Sequence, residues 1–223
     1  MNCPHCRAAE QKFGPAVAQG DLRQYRHHRL NPTTQRILSV LREMAPDRTT
    51  LLDIGAGIGV ITHELLAGGT RTATLVDASS SYLDAARAEA QARGHADRIR
   101  FVHGDFVDRA REVPSADVVT LDRVVCCYPD YRALLELSAA KCGRAYAISY
   151  PRDRWFVRLT FAVENFLRRL RRDAFRTYVH SEAEIRQVLV TSGLKPVGGS
   201  TSPVWRVELY LRGPISDRPG PAS

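Results

Sequence analysis

The sequence predicts an α/β fold: a doubly wound, mostly parallel, seven-stranded sheet with helices on both faces and an N-terminal helical cap. Three observations predict it. Strand-like and helix-like segments alternate from residue 49 onward. A glycine-rich turn, Gly55-Ala-Gly-Ile-Gly59, follows the first apolar run and opens the first helix. Two further apolar runs each end on an acid, at Asp77 and Asp105. In open sheets of this kind, ligands sit beyond the C-terminal ends of the strands.

The elements follow in order. Residues 1–20 carry little periodic apolar pattern and are expected to be loosely held. From Asp21 to about Met44, Ile37, Leu38, Leu41 and Met44 recur at helical spacing, with Pro32 interrupting that helix or starting its second half. TTLLDI is a short buried strand, and VITHELLAGG is a helix ending in glycines. TATLVDA is the second strand. SSYLDAARAEAQARG is an amphipathic helix closed by Gly94. IRFVHGD and ADVVTLD are the third and fourth strands. YRALLELSAAKCG is a helix closed by glycine, and RAYAISYP is the fifth strand. A long Arg-rich amphipathic segment then spans about 152–178. HSEAEIRQVLVTSGL is a last helix, with Ser181 and Glu184 spaced as a capping box. KPVGGST and VWRVELYL complete the strands. The main domain therefore runs over 21–212, and the Pro-, Gly- and Ser-rich tail 213–223 is expected to be disordered.

Bulk properties narrow the partners. The 223 residues carry a formal charge of +8, almost all of it from arginine, since the only lysines are Lys12, Lys141 and Lys195. That excess suits an anionic small molecule, a nucleic acid or an acidic membrane surface. Five cysteines with an adjacent pair do not form a secreted disulfide framework. There is no signal-peptide pattern and no apolar run of about 18 residues, so a cytoplasmic setting is expected. Cys3-Pro-His-Cys6 has zinc-like spacing, but a closed site takes four ligands and no second C-x-x-C exists. His27, His28 or the Cys126–Cys127 pair would have to complete it, and no metal is expected.

The glycine turn is specific in what it lacks. A nicotinamide fingerprint needs its third glycine at position 60, which is Val60, and a P-loop needs a following Lys-Ser/Thr pair. Asp53, at the end of the first strand, would repel a pyrophosphate but suits a cationic ligand.

With Asp53-Ile-Gly-Ala-Gly-Ile-Gly59, the chain resembles the class I S-adenosylmethionine-dependent methyltransferases, whose first motif is an acid followed by G-x-G-x-G. The resemblance implies S-adenosylmethionine as cofactor, cradled by Asp53, Gly55, Ala56, Gly57 and Gly59. It implies that Asp77 and Ala78 meet the ribose, and that Asp105 and Phe106 meet the adenine. The order Asp122, two apolar residues, small polar residues and then Tyr128-Pro129 is distantly similar to magnesium-protoporphyrin O-methyltransferases. So is the stretch FRTYVHSEAEIRQVLVTSGLKPV. Those relatives tend to carry a His after the fourth strand, where this chain has Cys126.

The expected activity is methyl transfer to a small-molecule acceptor, and the Arg-rich segment with its interleaved aromatics suits a hydrophobic, anionic one methylated at a carboxylate or ring hydroxyl. Asp122 is the candidate base, and Cys126, Tyr128, Arg154 and Arg158 are candidate acceptor contacts. The 152–178 segment reads as a helical lid, as a membrane-surface helix, or as a solvated face. The alternatives are an RNA or protein methyltransferase, or a non-catalytic adenosylmethionine- or metal-sensing regulator. No nucleic-acid recognition module is attached, so nucleic acid is not expected as a partner.

Overall fold

The computed structural model describes residues 4–44 and 48–213. Cys3 and the tail from 214 onward lie outside the described residues. In chain order the elements are α1 (Pro4–Lys12), α2 (Pro15–Arg26), α3 (Pro32–Met44), β1 (Thr50–Ile54), α4 (Val60–Ala67), β2 (Thr72–Asp77), α5 (Ser80–Ala92), β3 (Ile99–His103), α6 (Phe106–Arg109), β4 (Ala116–Asp122), α7 (Tyr131–Lys141), β5 (Cys142–Pro151), α8 (Trp155–Leu170), α9 (Glu182–Thr191), β6 (Leu194–Thr201) and β7 (Trp205–Arg212).

The sheet runs β3-β2-β1-β4-β5-β7-β6. The first five strands are parallel, and β7 enters antiparallel between β5 and β6. Asp53, Asp77 and Asp122 thus sit near one edge, Asp53 beside Leu75 and Thr120, Asp77 beside His103, Asp122 beside Ser149.

The inner strands β1, β2, β4 and β5 are buried on both faces, which is why each is an apolar run rather than an alternation, whereas the edge strands β3 and β6 carry exposed positions. Leu52, Ile54, Val119, Leu121 and Ile148 face Leu134 and Leu135 of α7 and Ile185 and Leu189 of α9. Leu51, Leu75, Val118 and Ala147 face Ile37, Leu38 and Leu41 of α3, Leu65 of α4 and Leu83 of α5. Each such side chain contributes about 1.5–3 kcal/mol by leaving water.

Three expectations differ from the structure. The first twenty residues hold α1 and the start of α2. Short pieces of apolar surface tie them down: Cys6, Ala8, Ala18 and Tyr25 are buried. The helical stretch expected from Asp21 begins earlier, at Pro15, and of the two readings open for Pro32 the structure takes the second: α2 ends at Arg26, His28 takes a positive φ, and Pro32 starts α3. The helix after Asp130 is not closed by glycine; α7 runs straight into β5 at Cys142, and Gly143 lies inside the strand. There a Cβ would come within 3.2 Å of the Ala116 carbonyl.

Candidate active site

β1 delivers Ile54 into the turn Gly55–Gly59, whose three glycines all have positive φ. The constraint is sharpest at Gly55. Its φ is +63°, and an added Cβ would come within 2.4 Å of Val124 Cγ2. At Gly57 (φ +57°) the nearest atoms to an added Cβ are in the Tyr82 ring at 3.9 Å, so backbone conformation rather than crowding selects glycine there. The turn is pinned to β2. The Gly55 amide donates to the Val76 carbonyl at 2.7 Å, and the Gly57 amide donates to Asp77 Oδ2 at 2.8 Å.

Four acids stand along this edge in different states. Asp53 accepts from Thr120 at 2.6 Å and Thr62 at 3.0 Å. Burial nonetheless raises its pKa to about 7. Asp77 accepts from the Gly57 and Ser79 amides, and burial raises it to about 6. Neither forms an ion pair among the described residues. Asp105 caps α6 by accepting from the Val107 amide at 2.9 Å. Burial alone would raise its pKa, but bonds from His5, Tyr128, Val107 and Cys6 hold it well below the usual carboxylate range. Asp122 accepts from Ser149 and Thr34 hydroxyls, each at 2.5 Å.

The cap closes over these groups. Glu10 of α1 accepts from the Ser80 amide at 2.9 Å, and the Ser79 hydroxyl donates to the Phe13 carbonyl at 2.7 Å. Tyr82 of α5 donates to Asp21 of α2 at 2.7 Å. The result is one cavity, walled by the glycine turn, the strand-end acids and residues of the cap between 5 and 34.

Most sequence candidates meet there. Asp53, Gly55, Ala56, Gly57, Asp77, Ala78, Asp105, Phe106, Asp122 and Tyr128 all line the cavity. Four candidates do not. Gly59 is the N-cap of α4, and its missing side chain faces Leu75 and His63 instead. Cys126 is buried behind the wall, bonded to the Arg123 carbonyl, and its neighbour Cys127 lines the cavity in its place. The Cys127 contact and burial push the Cys126 thiol pKa well up. Arg154 and Arg158 are also absent from the wall; Arg158 instead pairs with Asp153 at the surface. No described residue from 152 to 178 lines the cavity itself; the segment reaches it only indirectly, Phe175 packing edge-on against Phe13 of the wall at 5.3 Å.

The sequence reading missed the groups the cap brings in: His5, Cys6, Phe13, Gln24, Arg29, Asn31 and Thr34, together with Arg123 after β4. Two signals pointed that way: the Cys3-Pro-His-Cys6 motif, and the polar stretch RHHRLNPTT that breaks the apolar periodicity between two helices.

His5, Cys6 and Asp105 also form a possible donor set, since their ligand atoms lie within 4.8 Å of one another. The His5 nitrogen is 3.4 Å and the Cys6 sulfur 3.3 Å from Asp105 Oδ2. Nitrogen, sulfur and carboxylate oxygen are the ligand types zinc takes. His27, His28 and the Cys126–Cys127 pair do not join this set among the described residues.

Residues 51–140 match a family model described as a methyltransferase domain. A curated relative, the release factor glutamine methyltransferase of Chlorobaculum tepidum, is 31% identical over 123 residues. That match covers 47% of this chain and only 42% of the relative, so the chain spans well under two thirds of it. Among solved structures, magnesium protoporphyrin IX methyltransferase from Synechocystis PCC 6803 with bound SAH superposes with a TM-score of 0.66. It is 19% identical, covering 81% of this chain and 82% of that one. A putative sarcosine dimethylglycine methyltransferase from Galdieria sulphuraria gives 0.65 at 15% identity, covering 81% and 85%. An O-methyltransferase family protein from Burkholderia thailandensis gives 0.63 at 22% identity, covering 80% and 56%.

Proposed function

We propose that this chain is a class I S-adenosylmethionine-dependent methyltransferase that transfers the sulfonium methyl group to an oxygen of a small, partly apolar, anionic acceptor held beneath the α1–α3 cap. The observation that carries the reading is the pair of buried acids, Asp53 and Asp77, in one cavity with the glycine turn and in no ion pair among the described residues. Burial penalises both as carboxylates, and a cationic ligand relieves that penalty. The fit extends to hydrogen bonding. Each Asp77 oxygen accepts one backbone N–H and keeps a lone pair for a ribose hydroxyl.

The cofactor, when bound, supplies an electrophilic methyl group on a positively charged sulfur. In this reading Asp53 faces its cationic end and Asp77 holds the ribose diol. Phe106 walls the adenine beside Asp105, whose acceptor sites are already taken by His5, Cys6, Tyr128 and Val107. Much of the catalysis is then positioning of the acceptor atom in line with the methyl group. A carboxylate acceptor needs no base. For a hydroxyl acceptor Asp122 takes the proton, its carboxylate held by Ser149 and Thr34.

The acceptor's charge is read from Arg29 and Arg123, both at the cavity wall, whose guanidinium forks match a carboxylate. Phe13, Tyr25 and Tyr82 supply apolar surface there. The cap favours a small molecule over a polymer. Amino-group methylation of adenine would favour a Pro-Pro pair after the β4 acid, where this chain has Arg123-Val124. Transfer of labelled methyl from S-adenosylmethionine into fractionated cell extract tests the reading. Label in a low-molecular-weight acidic fraction supports it; label only in protein or RNA refutes it.

A second reading has one observation in its favour, the His5–Cys6–Asp105 donor set. It makes the protein a metal-responsive, adenosylmethionine-binding regulator. Metal analysis of the purified protein separates the two. Stoichiometric zinc lost in Cys6→Ser, with no methyl transfer to any extract fraction, would favour the regulator.

A further inference from the structure

α8 presents its apolar face to solvent. Its 16 residues make a rod about 24 Å long. At 100° per residue, Trp155, Phe156, Leu159, Val163, Phe166, Leu167 and Leu170 fall within a single arc of about 120° with no polar residue among them. All seven are exposed, Trp155 at 76%, Leu170 at 66%, Phe166 at 60% and Leu159 at 56%. A surface helix of a soluble domain turns such a stripe toward the core.

The inward face explains why this one does not. Val157 is buried. Asn165 exchanges two hydrogen bonds with the Thr177 backbone, at 2.7 and 3.0 Å. Arg168 donates to the Thr177 hydroxyl at 3.2 Å and stacks 5.3 Å over the Phe175 ring. The helix is therefore fixed by its polar side to the strap that follows it, with the apolar arc held outward.

The edges of the arc are cationic. Arg158 and Arg169 border one side and Arg171 the other, with Arg172 next in sequence. The nearby acids Asp153 and Glu164 are already paired, with Arg158 and Arg168. Among the described residues Arg154, Arg169, Arg171 and Arg172 have no carboxylate partner. A twofold antiparallel pairing with a second copy would set the Arg158–Arg169 edge against itself. Phosphate headgroups around an apolar interior match both the arc and its rim.

We infer that α8 is a monotopic anchor. It lies along an anionic phospholipid surface, with its apolar arc at the acyl boundary and its rim arginines among the phosphates. No helix among the described residues is long and apolar enough to cross a membrane, so the anchor is one of contact only. α8 leaves the sheet just after Pro151, and Ser149 of the same strand bonds Asp122 at the cavity. The anchor therefore starts at the same sheet edge that carries the cavity. If the proposed activity holds, its acceptor is drawn from the lipid phase; the anchor itself does not depend on that.

The chain has two tryptophans, so Trp205→Phe leaves Trp155 as sole reporter. This protein is mixed with vesicles of phosphatidylcholine alone, or of equal parts phosphatidylcholine and phosphatidylglycerol. The anchor predicts blue-shifted Trp155 emission and co-sedimentation with the anionic vesicles only, both weakening at high salt. Leu159→Ser with Phe166→Ser abolishes both signals. Arg169→Glu with Arg171→Glu lowers vesicle affinity about tenfold or more. S-adenosylmethionine affinity and far-ultraviolet dichroism, unchanged in all variants, report that the fold is intact. No binding to anionic vesicles overturns the inference. So does a lipid-free dimer that Phe166→Ser dissociates, since the arc would then be a self-interface.

Discussion

The Cys6 sulfur lies 3.3 Å from Asp105 Oδ2, across ninety-nine residues of chain. This contact fastens the first helix over the end of the third strand, and it makes the N-terminal segment part of the cavity rather than an appendage. Truncation to residue 14 therefore removes one wall. The expected outcome is a cofactor dissociation rate raised about tenfold or more in stopped-flow fluorescence, with the sheet intact by circular dichroism. An unchanged rate would show that α1 does not cover the ligand.

Of the three turn glycines, Gly55 leaves the least room for a side chain, because the Val124 side chain packs directly over it. Gly55→Ala forces a side chain into positive φ and into Val124. The expected destabilisation is about 2–4 kcal/mol, from backbone strain and overpacking together. Combining it with Val124→Ala should recover the overpacking share alone. Strictly additive effects in a denaturation cycle would contradict the contact.

Acceptor recognition is expected to follow the cap, not α8. Reversal of Arg29 and Arg123 to Glu should raise the acceptor KM about tenfold or more while leaving S-adenosylmethionine affinity within twofold. The same reversal at Arg154 and Arg158 should leave the KM for a soluble acceptor unchanged. The opposite pattern would return the lid to the 152–178 segment.

The pH dependence of cofactor binding has a defined sign. Burial raises Asp53 to about 7 and Asp77 to about 6, so both are increasingly protonated as pH falls below those values. The carboxylate forms bind the cationic cofactor. Affinity should therefore rise from pH 5 to about pH 7.5. It should fall again as the cofactor's own ammonium deprotonates near 8. Without ligand the linkage runs the other way. The stability these two acids contribute is full below about pH 4 and is lost as pH rises through 6 to 7. Asp53→Asn should flatten the binding profile in calorimetry.

The sheet and the cofactor edge were legible because strand-end acids and turn glycines are local signals. Asp53, Asp77 and Asp105 each sit where an apolar run stops, and the topology brings them to one edge without further information. The cap was not legible. Cys6, Phe13 and Arg29 reach the cavity only through contacts spanning tens of residues, such as Glu10 with Ser80. The α8 stripe was visible as helical periodicity, but its direction was not. Asn165 and Arg168 turn it outward by bonding a strap that no local pattern announces. Cys126 and Cys127 illustrate the same limit at one residue's resolution. The short helical turn after β4 sends the first inward and the second to the cavity.

The central claim is that Asp77, in the cavity beneath the cap, holds the cofactor's ribose. Titration calorimetry of wild type and Asp77→Ala with S-adenosylmethionine at pH 7.5 tests it most directly. The account predicts one site in the wild type, weakened by about 1–3 kcal/mol in the variant, with circular dichroism unchanged. No binding to the wild type, or equal affinity in the two proteins, would contradict it.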